Sequence, residues 1–277
     1  MKSSILVFTI LILIVCCKDI NSPARQSNCG EEAMPKYDYR ATVKGEMTPE
    51  IDSILRIEKK RDVFKPCRTL SYNAKFYSNV GNIITNETIS VSSTGKRWEH
   101  QPEKQDEIAI NYFFNKDSIK IINQHQLNKT SVNPNWRSQE LTGVIENVEK
   151  IWTHPFRSNQ YNFTQVAPFP QVELPLRIGK TWTDKNISLK DGFGDWANMK
   201  VISTFEVIDK SEITTLYGKF PNSWKIKAVS EFPLGESELT YWFNAEYGFV
   251  KMNYINYGGQ RLDIEITGIK DMVGGMK

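Results

Sequence analysis

Apolar and polar residues alternate with a period of two over most of the second half of this chain. In RLDIEITGI (261–269), Leu262, Ile264 and Ile266 point one way and Asp263, Glu265 and Thr267 the other, the pattern of a strand with one wet face. EIAINYFF (107–114), MKVISTFEVI (199–208), SWKIKAV (223–229), LTYWF (239–243) and FVKMNYI (249–255) repeat it. Between these runs lie NKDS, DKSE, PLGE, NAEYG and NYGGQ, turn chemistry of hairpin length. From about residue 198 the chain therefore reads as an antiparallel meander, and further strands are predicted at 37–43, 69–77, 86–92 and 144–152. One segment has a different signature. TPEIDSILRIEKKRD (48–62) offers Thr48 as a cap, Pro49 in the first turn, acidic residues early and Lys59, Lys60 and Arg61 late, which predicts a short helix burying Ile51, Ile54 and Leu55.

The first residues break the alternation altogether. Lys2 precedes an unbroken apolar run over 5–15 that ends at Cys16 and Cys17 and passes at once into polar KDINSPARQSNCGEE. The run is too short for a bilayer span, which takes roughly 20 apolar residues, and has the length of a signal-peptide core. An aliphatic stretch ending in Cys with Lys-Asp behind it resembles the lipobox of bacterial lipoproteins. The resemblance implies removal of residues 1–16, acylation of Cys17 by a diacylglycerol and usually a third chain, and a protein exported and held by lipid at the envelope, most naturally the outer membrane. Each buried methylene contributes about 0.8 kcal/mol, so two or three chains hold where one holds marginally. Residues 17–36 then form a tether of Ser, Pro, Asn and Gly, and residues 37–277 a single β domain.

Charge and cysteine content narrow the function classes. The 277 residues carry 35 Lys and Arg against 32 Asp and Glu, and this near balance gives no concentrated basic face for nucleic acid. With Cys17 acylated and Cys16 lost with the leader, Cys29 and Cys67 remain, an even pair in a compartment that permits disulfides. Sequons at Asn86, Asn128, Asn162 and Asn186 are incidental in a chain rich in Asn, Ser and Thr.

Recognisable chemistry is absent from the motifs. The three histidines, His100, His125 and His154, lack metal-ligand spacing, and no nucleophile elbow, P-loop or dinucleotide fingerprint occurs. No metal, cofactor or catalytic residue is assigned. DGFGDW (191–196) has Phe193 where a calcium loop needs an oxygen ligand, and reads as a turn before the strand at Met199. The densest unusual stretch is IWTHPFRSNQYNFTQVAPFPQVELPLRIGKTWT (151–183), in which aromatic residues alternate with prolines. It predicts an ordered, non-helical crossover. Trp152, His154, Arg157 and Trp182 are its candidate binding residues, with Arg157 presenting a planar fork to a carboxylate or phosphate. The competing reading is a packed connection whose His and Arg are consumed by carbonyls or a carboxylate.

Residues 140–269, with GKTWT at Gly179, YGKFPNSWKIKA at Tyr217 and YWFNAEYGFVKMNY at Tyr241, resemble uncharacterised envelope lipoproteins of Gram-negative bacteria built on a lipoprotein-carrier-like half-barrel. The resemblance implies an all-β, strongly curved antiparallel sheet around an apolar interior that holds a ligand or is plugged, for example by the helix near Ile51. Three functions are compatible: a non-enzymatic binding or scaffold module for an apolar ligand or an envelope partner protein, an envelope hydrolase drawing on His154, Arg157, Asp191 or Asp195, and a purely structural lipoprotein.

Overall fold

The computed structural model of the chain describes residues 62–114, 117, 137–189 and 193–271. The leader, Cys17, the tether with Cys29, the strand expected at 37–43 and nearly all of the helix expected at 48–62 lie outside the described residues.

Among the described residues twelve strands are present: β1 (Arg68–Tyr77), β2 (Ile83–Arg97), β3 (Asp106–Phe113), β4 (Gln139–Glu146), β5 (Lys150–Thr153), β6 (Gln171–Glu173), β7 (Thr181–Ser188), β8 (Lys200–Thr214), β9 (Lys219–Phe232), β10 (Gly235–Asn244), β11 (Gly248–Ile255) and β12 (Arg261–Asp271). They form one sheet in the order β6-β5-β4-β3-β2-β1-β12-β11-β10-β9-β8-β7. Two six-stranded meanders are thus joined where β1 pairs antiparallel with β12, Arg68 opposite Asp271. The expected curved all-β sheet is observed, and it curls past a half-barrel into a nearly closed barrel. The unladdered seam lies between β6 and β7, the two ends of the sheet. Side chains bridge that seam, Gln171 Nε2 donating to Asp184 Oδ2 (3.0 Å) and Lys180 Nζ to the Glu173 carbonyl (2.6 Å), while from β10 the Tyr241 hydroxyl reaches across the interior to the Gln171 carbonyl.

Two sequence expectations are corrected. The single strand expected at 144–152 is a hairpin, because Asn147 Oδ1 accepts the backbone N–H groups of Glu149 and Lys150 and turns the chain between β4 and β5. DKSE is not a turn. It continues β8, whose pairing with β9 shifts register at Asp209 and Ile213, and the reversal comes at 215–218, where Thr215 N donates to the Gly218 carbonyl.

Alternation decides which residues enter the barrel. In β8–β12 the inward set includes Phe205, Val207, Ile226, Leu239, Tyr241, Met252, Leu262 and Ile264, all buried. Outward rows carry charge, as in Asp209, Lys225, Lys251 and Glu265, which lie in one row across the sheet with Trp242 between the two lysines. An apolar inside with a charged outside is the reverse of a membrane-spanning barrel.

One mouth of the barrel is covered. At the mouth beside the 215–218 and 245–247 turns, residues 62–64 form a strap: Glu146 accepts backbone N–H groups from Asp62 (2.8 Å), Val63 (3.0 Å) and Phe64 (2.9 Å). Val63 sits so close to Gly248 that a Cβ there would lie 2.5 Å from Val63 Cγ1. The Gly248 φ of +75° also favours glycine. Cys67, just beyond the strap, is buried and disulfide-bonded. The other three cysteines lie outside the described residues.

Candidate functional site

The crossover singled out in the sequence runs from β5 to β6 and occupies the inside of the barrel. Prolines and a 3₁₀ run at Asn159–Val166 keep it from pairing as a strand, and it buries Phe156, Tyr161, Val166, Ala167 and Phe169. Phe156 meets Tyr72 edge-on with centroids 5.5 Å apart, and Tyr161 meets Phe76 (6.4 Å) and Tyr112 (6.1 Å). It is an internal plug.

The wall facing this plug is polar where a barrel core is ordinarily apolar. Thr85 and Glu87 from β2, and Glu140 and Thr142 from β4, point inward and are buried. Each finds its partners on the plug. Glu140 receives Arg157 Nε at 2.6 Å and the Ser158 hydroxyl at 2.7 Å, besides the Tyr112 hydroxyl at 3.1 Å. Glu87 Oε2 accepts from Gln160 Nε2 (2.5 Å) and the Tyr161 hydroxyl (3.0 Å). Burial first, and then the adjacent carboxylates Glu140 and Glu87, hold the Tyr112 and Tyr161 phenols well above their ordinary pKa, so both remain neutral donors.

Arg157 also donates to Thr142 Oγ1 (3.2 Å), whose hydroxyl lies 2.8 Å from His154 Nδ1. Burial, reinforced by the Arg157 charge, pushes His154 down to about 3, so the imidazole is neutral at physiological pH. Its ring packs against Trp152 (4.5 Å), Trp98 (5.4 Å) and Phe169 (5.6 Å).

Of the four candidate binding residues, Trp152 and His154 are brought together in this aromatic group. Arg157 is directed inward to Glu140. Trp182 stands on β7 beyond the seam, stacked on Phe205 at 5.1 Å. Of the hydrolase candidates, His154 and Arg157 meet on the Thr142 hydroxyl, Asp191 lies outside the described residues, and Asp195 belongs to a short 3₁₀ turn at Gly194–Trp196. Among the described residues no group of three or more His, Cys, Asp and Glu could hold a metal. Sequence reasoning missed Glu87 and Glu140, which look like outward residues in mixed strands. The signal available was that NETISV and QELTGV place a Glu in phase with apolar positions. The sequon at Asn162 falls on a buried plug residue.

Two cavities are lined wholly by described residues. One, ≈20 Å³, is apolar and lies beneath the strap against Val63, Phe64, Leu70, Phe156 and Met252. The other, ≈10 Å³, opens at the opposite mouth and is lined by Gln160, Phe163, Tyr254, Gln260 and Arg261 among others. Each has room for little more than a water molecule.

Comparisons with known proteins give no family. No family model matches the chain, and no curated protein matches it. Among solved structures it is similar to a candidate exported protein with a YmcC-like fold from Bacteroides fragilis NCTC 9343, at 10% identity and TM-score 0.42, over 75% of this chain and 97% of that one. It is similar to a candidate lipoprotein from Parabacteroides distasonis ATCC 8503 at 12% identity and TM-score 0.42, over 76% and 100% of the two chains. An uncharacterised conserved protein from Thermus thermophilus matches at 10% identity and TM-score 0.27, over 80% and 88%.

Proposed function

We propose that this chain is a lipid-anchored protein of the bacterial envelope that works without catalysis, as a rigid binding or scaffold module for another envelope protein. The supporting observation is how its buried chemistry is used. His154, Arg157, Glu140 and Glu87 are engaged in fastening the plug, with hydrogen bonds of 2.5–3.2 Å among them and their neighbours. The outer wall of the first meander, in contrast, carries apolar side chains in the open. Phe113 is 58% and Leu141 52% exposed, and Ile145 lies opposite Trp152 on the same outward face. Apolar side chains left open on a sheet face suit a protein contact.

In this reading Cys17 is the acylated residue, the anchoring bilayer is the outer membrane, and Cys29 is the disulfide partner of Cys67, joining the tether to the strap beside one barrel mouth. A lipoprotein-carrier-like role, shielding an acyl chain inside the barrel, would require the plug to withdraw. Membrane fractionation combined with pull-down tests the proposal. Cys17→Ala should move the protein to the soluble fraction, and Leu141→Asp should leave it membrane-bound and folded while abolishing recovery of a co-purifying envelope protein. Retention of the Cys17→Ala protein in membranes refutes the anchor, and unchanged recovery with Leu141→Asp refutes the contact surface.

A further inference from the structure

The β8–β9 hairpin outruns the strands on either side of it. β7 pairs with β8 only as far as Glu206, and β10 pairs with β9 only from Trp224 onward, yet β8 and β9 go on pairing with each other to Thr214 and Lys219. The overhang lies at the strapped mouth. Its tip is drawn across the end of the β10–β11 hairpin, for Tyr217 N donates to the Ile266 carbonyl of β12 (3.1 Å). Two strands alone are marginal in water, and this pair is steadied from beneath: Thr215 and Phe220 are buried, and Phe220 meets Tyr247 edge-on with centroids 5.5 Å apart. The tip itself is bare, with Leu216 62% and Tyr217 50% exposed. Its backbone needs little from water, since Thr215 N donates to the Gly218 carbonyl and Gly218 N to Thr215 Oγ1, besides the Tyr217 bond to β12.

We propose that this tip dips into the surface of the anchoring bilayer, so that the barrel stands on the membrane by its strapped mouth. The proposal rests on the lipid-anchor reading given above, in which Cys17 is acylated and Cys29 pairs with Cys67. Cys67 is disulfide-bonded and adjoins the strap, so in that reading only twelve residues of chain separate the lipid from this mouth. They reach about 40 Å at full stretch. β1, ten residues long, already runs about 33 Å along the wall from this mouth to the other. The strapped mouth is therefore held towards the lipid, and the opposite mouth, whose turns leave Val80 and Leu234 exposed, away from it. The chemistry of the tip fits that surface. Leu216 enters the acyl boundary, Tyr217 sits at headgroup depth with its ring apolar and its hydroxyl wet, and hydrogen-bonded backbone is what such a depth demands. Lys219 beside the tip is balanced by Glu212 at 2.8 Å, so the contact is apolar in character and not an attraction of net charge. It is separate from the proposed protein contact on β3–β5.

Fluorescence quenching on the acylated protein extracted from membranes tests this. Leu216→Cys and, at the opposite mouth, Val80→Cys are each labelled with a small environment-sensitive dye without reducing the disulfide. Both positions are exposed, so neither substitution threatens the fold. The proteins are reconstituted into vesicles of phosphatidylethanolamine and phosphatidylglycerol that carry a nitroxide lipid at headgroup depth, and are floated on a density gradient. The dye at position 216 should lose most of its emission to the nitroxide and shift to the blue, while the dye at position 80 should do neither. A protein that floats with position 216 unquenched, as a tip reserved for another protein would leave it, overturns the proposal while the anchor stands. Quenching at position 80 that matches or exceeds that at 216 overturns it as well. A protein that does not float at all refutes the anchor, and the proposal falls with it.

Discussion

Inward positions of β7–β12 are filled by Trp182, Phe205, Ile226, Leu239, Tyr241 and Ile264, while those of β2–β4 include Thr85, Glu87, Glu140, Thr142 and Glu146. The inward rows of the second meander are mostly apolar, and the polar groups Asp184 and Tyr241 among them are met by Gln171 of β6. The first meander presents carboxylates and hydroxyls to the interior, and they are tolerable there because the plug brings a guanidinium, a hydroxyl and an amide to meet them. Non-directional burial drives one half. The other depends on directional contacts, each modest when made and costly when broken. Outside the barrel no such division holds, since the charged rows of β8–β12 also leave Ile202, Ile208 and Ile255 exposed, as β3 and β4 leave Phe113 and Leu141.

The largest effect that could break this contrast comes from the plug. Arg157→Ala removes the cation from Glu140, whose side chain is only 5% exposed against 20% for that of Arg157. An uncompensated buried carboxylate should lower unfolding free energy by about 3 to 5 kcal/mol in urea titration. A loss below about 1 kcal/mol, less than the usual cost of one broken buried hydrogen bond, would mean that the plug is not held through Glu140.

Acid should separate the halves next. Burial and Arg157 depress His154 to about 3 in the fold, whereas in the unfolded chain it titrates near its ordinary value of about 6.5. Below that pH the unfolded state binds a proton that the folded state refuses, so the contribution of His154 is complete above about 6.5 and is lost as pH falls towards 3. His154→Gln should therefore flatten the decline in stability between about pH 6 and pH 4. An unchanged slope would place the acid sensitivity elsewhere.

The smallest change belongs to the charged outer wall. Lys227 pairs with Glu238 at 3.1 Å, with the side chains 52% and 44% exposed, and a pair so open to solvent contributes little. Lys227→Ala should shift stability by less than about 0.5 kcal/mol. A larger loss would show that the outer rows are structural and not merely solvated.

How far the pattern could be read follows the same division. Over 199–271 alternation identified the strands and their inward faces, because a wet face and a buried face leave a period of two. It misplaced the β8–β9 reversal, since DKSE is polar for being outward on a long strand and not for turning. In 144–152 a period-two run hid a hairpin set by one side chain, Asn147. Within 151–183 the order of the crossover was legible from its prolines and aromatics. Its position inside the barrel was not, for that depends on Glu87 and Glu140, some 73 and 17 residues from the plug groups Gln160 and Arg157 they bind.

By itself, then, the sequence determined the all-β class, the strands of residues 199–271 with their inward faces and the absence of a recognisable catalytic motif, all of which rest on local spacing, while β6 and β7 went unread. Closure was decided only in three dimensions. A meander can curl to any degree until β1 meets β12 and side chains span the β6–β7 seam. The fate of Arg157 was decided there too. A guanidinium in a loop can serve a partner or a buried carboxylate, and only the placement of Glu140 at 2.6 Å selects the second.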